Sequence, residues 1–167
     1  MFSNQIFICH TDDHKEQAAS IAISLRNRGY RVFLDKDTLP PGQSYDRQIE
    51  KAIKQSSAFV FLISPQSVRE GRYTLTELKF AAKKWPSPAN VVLPVLVAPT
   101  DLNTFPVYLK GATMLEPHGS LSAGVSAAIA SMVSPRSYSK ILAIAAAIAV
   151  VVGYRHLCDF FVSQCRS

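Results

Sequence analysis

Short apolar runs alternate with amphipathic stretches over the first 133 residues, and turn residues separate them. "QIFIC" (5–9) predicts a strand, followed by the turn-like "HTDD". "EQAASIAISLRNRG" (16–29) repeats apolar residues at helical spacing and stops at Gly29, a suitable residue just past a helix end. "YRVFLD" (30–35) is a second strand, "KDTLPPGQS" (36–44) a Pro/Gly loop, and Ser44 a candidate cap for the helix "YDRQIEKAIKQS" (45–56). "AFVFLIS" (58–64) is the most continuously apolar run, as expected of a strand covered on both faces.

Ser64-Pro65 predicts the start of another helical stretch, and the helix containing Glu77 should run to about Trp85. "NVVLPVLV" (90–97) reads as a fourth strand, with Pro94 expected near its beginning because proline cannot donate to a ladder. "ATMLEP" (112–117) is a short fifth strand and "SLSAGVSAAIASMV" (120–133) a closing helix. Alternation of this kind implies an α/β fold, a parallel sheet with helices on both faces. Its default ligand site is the edge formed by loops after the strands' carboxyl ends. Here those loops are "HTDD", "KDTLPPG" and the segment from Ser64 to Glu77.

Composition narrows the function classes. The net charge is +6, but residues 1–133 hold 14 Lys/Arg against 11 Asp/Glu, while residues 134–167 hold 4 against 1. The main body is nearly balanced and has no basic block with interleaved aromatics, so a nucleic-acid partner is not expected. Cys9, Cys158 and Cys165 have neither CxxC spacing nor the density of a disulfide framework, which suits a reducing compartment. His10, His14, His118 and His156 suggest no metal cluster. The beginning of the chain lacks the pattern of a secretory signal. Absence of "GxGxxG" disfavours a Rossmann-type hydride-transfer site.

"GRYTLTELKF" (71–80) holds one acidic side chain, Glu77, among apolar and neutral neighbours. Thr74 followed three residues later by Glu77 matches a capping box, which by itself accounts for a carboxylate at a helix start. Tyr73, on spacing alone, reads as packing. His10 and Thr11 could shape the turn after the first strand, Asp12 and Asp13 a solvated helix start, and "LPPG" a rigid turn. Lys83-Lys84 reads as a solvated face. The acidic pair Asp12-Asp13 also raises a phosphoacceptor receiver, but that class needs an Asp ending the third strand and this chain has Ser64.

Taken together, "FICHTDDHK", "VFLDKDTLPPGQSYDRQIEKAI" and "FVFLISPQSVREGRYTLTEL" resemble the Toll/interleukin-receptor (TIR) domain, especially its bacterial members. The likeness covers roughly residues 5–133. It implies a flavodoxin-like five-stranded parallel sheet flanked by helices. Many members of the family cleave NAD at the nicotinamide–ribose bond, with NAD as substrate and no cofactor. The resemblance makes Glu77 the counterpart of the Glu in a W-x-x-x-E pattern, with Tyr73 at the Trp position. It places His10 and Thr11 at the nucleotide-facing loop. The assembly loop that borders the site corresponds to Asp35 through Gly42, with Asp37, Leu39, Pro40 and Pro41 at its centre. Other TIR domains are the implied protein partners, and a non-catalytic TIR–TIR adaptor is the alternative function. Tyr in place of Trp at 73 departs from the pattern but keeps a flat aromatic beside the site.

The chemistry suits these residue types. Breaking the N-glycosidic bond of NAD builds positive charge on the ribose, which a carboxylate near the anomeric carbon stabilises. The pyridinium is already an activated leaving group, so one Glu could replace the two carboxylates of most glycosidases. Backbone N–H groups after the first strand, with Thr11, could hold phosphate.

The remainder of the chain reads as a linker (134–140), a hydrophobic helix (141–162) and a short tail (163–167). Residues 141–154, "ILAIAAAIAVVVGY", carry no charge. They would span about 21 Å as a helix, short of a bilayer core. Extension to Val162 includes Arg155 and Asp159, four apart on one helical face and able to pair. Arg136 and Lys140 precede the segment and favour a cytoplasmic domain. The expectation is a single-pass membrane anchor, with a self-association helix on a soluble cytoplasmic protein as its competitor.

Overall fold

The computed structural model describes residues 4–34 and 44–133. Four parallel strands form one sheet: β1 (Gln5–Cys9), β2 (Arg31–Leu34), β3 (Ala58–Ile63) and β4 (Val92–Leu96), in the order β2-β1-β3-β4. Helices α1 (Lys15–Asn27), α2 (Tyr45–Gln55), α3 (Tyr73–Lys84) and α4 (Leu121–Val133) connect and cover them. The chain divides into two units, Met1–Val133 and Ser134–Ser167. The expected linker and apolar segment lie in the second, outside the described residues; the loop 35–43, in the first, is likewise outside them.

Period-two alternation explains the two cores. Phe7, Cys9, Phe59, Phe61 and Ile63 face α2 and α3, meeting Ile49, Ile53, Leu78 and Ala81. Ile6, Ile8, Val60 and Leu62 face the other way, onto Ile21 and Leu25 of α1 and Val125 and Ile129 of α4. Both faces are therefore covered, and β1 and β3 are buried along their whole lengths.

Helix α1 stops as its sequence suggests. Gly29 sits at φ +86°; its N–H bonds Arg26 O at 2.9 Å, and Tyr30 N–H bonds Leu25 O at 3.1 Å. This pair of bonds is the Schellman arrangement, and glycine takes the left-handed position without a Cβ penalty. Ser44 does occupy the N-cap position of α2, but its hydroxyl makes no capping bond.

Two expected elements differ in the structure. The helical stretch after Ser64-Pro65 is a series of turns reaching α3. Ser64 and Ser67, both buried, bond to each other's backbone: Ser64 N–H donates to Ser67 Oγ at 2.8 Å, and Ser67 Oγ–H to Ser64 O at 3.0 Å. These bonds offer the chain an alternative to continuing a helix. The fifth strand at 112–117 is reduced to a single parallel bridge, Val95 with Leu115. Leu115 N–H donates to Pro94 O and Leu96 N–H to Leu115 O. Pro94 thus lies mid-strand, with its missing donor aimed at this edge, so the ladder cannot extend past it towards residue 113.

Helices α2 and α3 are tied at their carboxyl ends by Lys84. Its ammonium donates to Ile53 O at 2.9 Å and to Ser56 O, and lies 4.0 Å from the Trp85 ring centroid. Desolvation by burial pulls the Lys84 pKa down, whereas the two carbonyls and the ring face favour the charged form. Lys84→Met should keep most of the aliphatic stem yet leave the α2 carbonyls without this donor. We expect a loss of about 1–2 kcal/mol, read as a lower urea midpoint at unchanged slope.

Candidate active site

In the order β2-β1-β3-β4 the chain runs outward in opposite directions from β1 and β3, so the switch point lies between their carboxyl ends. Cys9 ends β1 there, and Ser64 follows β3. The amino-terminal turn of α3 is fastened over this point from the end of β1 and from the turns that follow β3. Thr74 Oγ1–H donates to Ser67 O at 2.6 Å, and Cys9 Sγ–H makes a long contact of 3.9 Å to Thr74 O.

This geometry replaces the capping box. Helix α3 begins at Tyr73, with Arg72 at its N-cap and no side-chain capping bond. Thr74 and Glu77 are therefore both inside the helix, at its second and fifth positions. Thr74, Glu77, Leu78 and Ala81 form its buried stripe, and Glu77 is 0% exposed. A carboxylate inside a stripe that packs on the core is not the solvated end of a helix.

Tyr73 lies one turn before Glu77 and is held from α2. Its hydroxyl donates to Asp46 Oδ1 at 2.5 Å, and its ring meets Tyr45 edge-on at 4.8 Å between centroids. The aromatic expected to line the site is thus fixed by the first two residues of α2.

His10 and Thr11 follow β1 directly and are half-buried. Thr11 Oγ1 is buried with no hydrogen-bond partner among the described residues, as is His14 Nδ1 in the short 3-10 turn Asp12–His14. The structure therefore brings Glu77, Tyr73, His10 and Thr11 to the carboxyl edge of the sheet. Asp35, Asp37, Leu39, Pro40, Pro41 and Gly42 lie outside the described residues. Asp46 and Ser67 were not singled out by sequence reasoning, and Thr74 only as the capping partner of Glu77. Asp46 in particular looks like any acidic residue in a first helical turn.

A doubly wound parallel sheet with a buried glutamate beside its switch point defines the class. The TIR domain profile matches residues 6–120, well over half of the chain. The chain belongs to the TIR domain family.

Solved structures share the fold. The TIR domain of the Toll-related receptor TRR-2 from Hydra magnipapillata superposes with a TM-score of 0.55 at 20% identity, over 66% of this chain and 81% of that one. A metazoan TIR-STING receptor from C. gigas, in complex with 2',3'-cGAMP, gives 0.61 at 21% identity, over 74% of this chain and 38% of the receptor. A prokaryotic SEFIR domain gives 0.57 at 17% identity, over 78% and 99%. No curated protein matches the chain in sequence.

Proposed function

We propose that this TIR domain is an NAD glycohydrolase, activated when TIR domains assemble, in which Glu77 faces the ribose. The bond between C1′ and the pyridinium nitrogen breaks, and its electron pair goes to the ring nitrogen, releasing neutral nicotinamide. The Glu77 carboxylate stabilises the charge left on the sugar. Water then adds at C1′, loses a proton and yields ADP-ribose. The observation that supports this reading is the placement of Glu77, wholly buried on α3 beside the β1/β3 switch point. Thr11, with a buried hydroxyl and no partner among the described residues, suits a ribose or phosphate oxygen. His10 and Tyr73 would border the dinucleotide, with Asp35 and Gly42 supplied by the neighbouring loop. In this reading NAD is the substrate and no cofactor takes part.

The direct test is nicotinamide release from NAD by concentrated or liposome-clustered protein, with Glu77→Ala expected to abolish it. Turnover in the variant equal to wild type rejects the role of Glu77.

One observation favours a second reading, a non-catalytic TIR–TIR signalling module. Glu77 is 0% exposed, so a ribose reaches it only after rearrangement around α3. Robust self-association through Asp37, Leu39, Pro40 and Pro41 with no NAD turnover would establish that reading instead.

A membrane anchor at residues 141–162 completes the proposal, with the TIR domain on the cytoplasmic side. Among the described residues no helix is long and apolar enough to cross a membrane. The apolar run "ILAIAAAIAVVVGY" and the preceding Arg136 and Lys140 support the anchor. Confinement to two dimensions would raise the effective concentration of the domains and so favour assembly. The full chain should sediment with membranes and a 1–135 truncation should not; a full chain that stays soluble without detergent rejects the anchor.

A further inference from the structure

We infer that Asp46 is a positioning residue for Glu77, acting through Tyr73. This rests on the catalytic reading of Glu77 given above. Asp46 stands in the first turn of α2 and Tyr73 opens α3, 27 residues later in the chain. The phenol donates to Asp46 Oδ1 at 2.5 Å, a charge-assisted bond of the short, strong kind. Tyr45, the residue before Asp46, meets the same ring edge-on, so α2 grips Tyr73 with one polar and one aromatic contact.

Tyr73 and Glu77 are four residues apart and share a face of α3. A movement of Tyr73 towards or away from α2 therefore turns the first turns of α3 and, with them, the carboxylate. Two other ties of this turn, from Thr74 to Ser67 and from Cys9 to Thr74, run to the strand side. Asp46 supplies a tie from the α2 side at this end of the helix. Together they fix the rotation of α3 about its own axis, which a single tether cannot do. An indole at position 73 would carry no hydroxyl, and its N–H would sit at a different reach. The bond to Asp46 is thus a consequence of tyrosine at this place.

This role differs from general packing. Asp46 is exposed and Tyr73 is half-buried at the margin of the α2/α3-side core, so Tyr73→Phe keeps the packing of the ring and removes the bond alone. Removing the bond should leave the sheet and both cores in place while loosening the orientation of Glu77. A misplacement of about 1 Å at a catalytic group can cost a factor on the order of a hundred, so even a small rotation is readable as rate.

The experiment compares the full chain with Tyr73→Phe, Asp46→Ala, Asp46→Asn and the Tyr73→Phe/Asp46→Ala double variant. Two quantities are read on the same samples: nicotinamide release from NAD, and amide hydrogen exchange at residues 74–77. Tyr73→Phe and Asp46→Ala should each lower kcat about tenfold with KM changed less than about twofold. Each should raise exchange at 74–77 about tenfold, and the double variant should be no worse than either single one. Asp46→Asn keeps an acceptor oxygen and should return kcat to within about threefold of wild type. Effects that multiply in the double variant, or exchange at 74–77 unmoved by Asp46→Ala, would overturn the inference. If wild type itself releases no nicotinamide, the catalytic reading fails and takes with it the claim on catalysis. The exchange measurement still decides whether Asp46 orders the Glu77 turn.

Discussion

Glu77→Gln should lower nicotinamide release by at least about a hundredfold and leave the melting temperature within about 5 °C of wild type. The two halves of this expectation come from the same geometry. Glu77 lies in the buried stripe of α3 with Thr74, Leu78 and Ala81, and none of its surface reaches solvent. Glutamine has nearly the same volume and retains an oxygen acceptor, so the packing of that stripe survives the change. The negative charge does not survive. In a site screened from water, a carboxylate beside a developing cation acts far more strongly than the same group in solvent. The loss should therefore appear in kcat, with KM affected less, because charge on the ribose grows only as the bond to nicotinamide breaks. Glu77→Ala would remove charge and volume together, so its effect on rate would be mixed with a packing defect. A glutamine variant that turns over NAD like wild type ends the case for catalysis. One that loses activity only because it melts far below wild type returns Glu77 to a structural role.

The sequence made Glu77 conspicuous but misassigned its surroundings, for a physical reason. Thr74 and Glu77 are spaced as a capping pair, and a threonine hydroxyl can serve either a helix N–H or a distant carbonyl. Only the fold brings Ser67 O to 2.6 Å from Thr74 Oγ1, and with that bond made, α3 starts two residues earlier than the capping box requires. Strands β1 and β3 were legible because "IFIC" and "AFVFLI" are apolar throughout, which follows from burial on both faces. The end of α1 was legible from Gly29, whose positive φ is a local requirement. The fifth strand was not, because whether residues 112–117 pair depends on Pro94, a neighbour that is remote in sequence and lacks the donor a second bond would need. Asp46 was invisible for a related reason. Its partner is 27 residues away, and nothing in "YDRQ" distinguishes it from an acidic residue placed for the helix dipole.

Phe59→Ala should be the most destabilising single change on the α2/α3 side of the sheet, at about 3–5 kcal/mol. Phe33, Phe7 and Phe59 stand side by side on β2, β1 and β3, in register as Phe7↔Phe33 and Phe7↔Phe59. Their rings stack at 5.2 and 5.3 Å between centroids, with Phe61 a further 6.4 Å from Phe59. Phe59 is fully buried, and it is the member that touches both Phe7 and Phe61. Truncation there opens a cavity at the junction and removes two ring contacts at once, beyond the transfer term of one side chain. Phe59→Leu should cost about 1–2 kcal/mol, because much of the volume is kept. Ile23→Ala, at a side chain 58% exposed on α1, should stay within about 0.5 kcal/mol and serves as the control. Urea unfolding at constant slope reads all three. Domains of this size hold about 5–15 kcal/mol in total, so Phe59→Ala removes a large share of it. The same aromatic row is the floor on which α2 and α3 rest, and these helices carry Asp46 and Glu77. Activity in Phe59→Ala should thus fall together with stability, whereas in Glu77→Gln it should fall alone. A cost below about 1 kcal/mol for Phe59→Ala would mean that the ring's neighbours collapse into the space, and that this row does not set where the two helices sit.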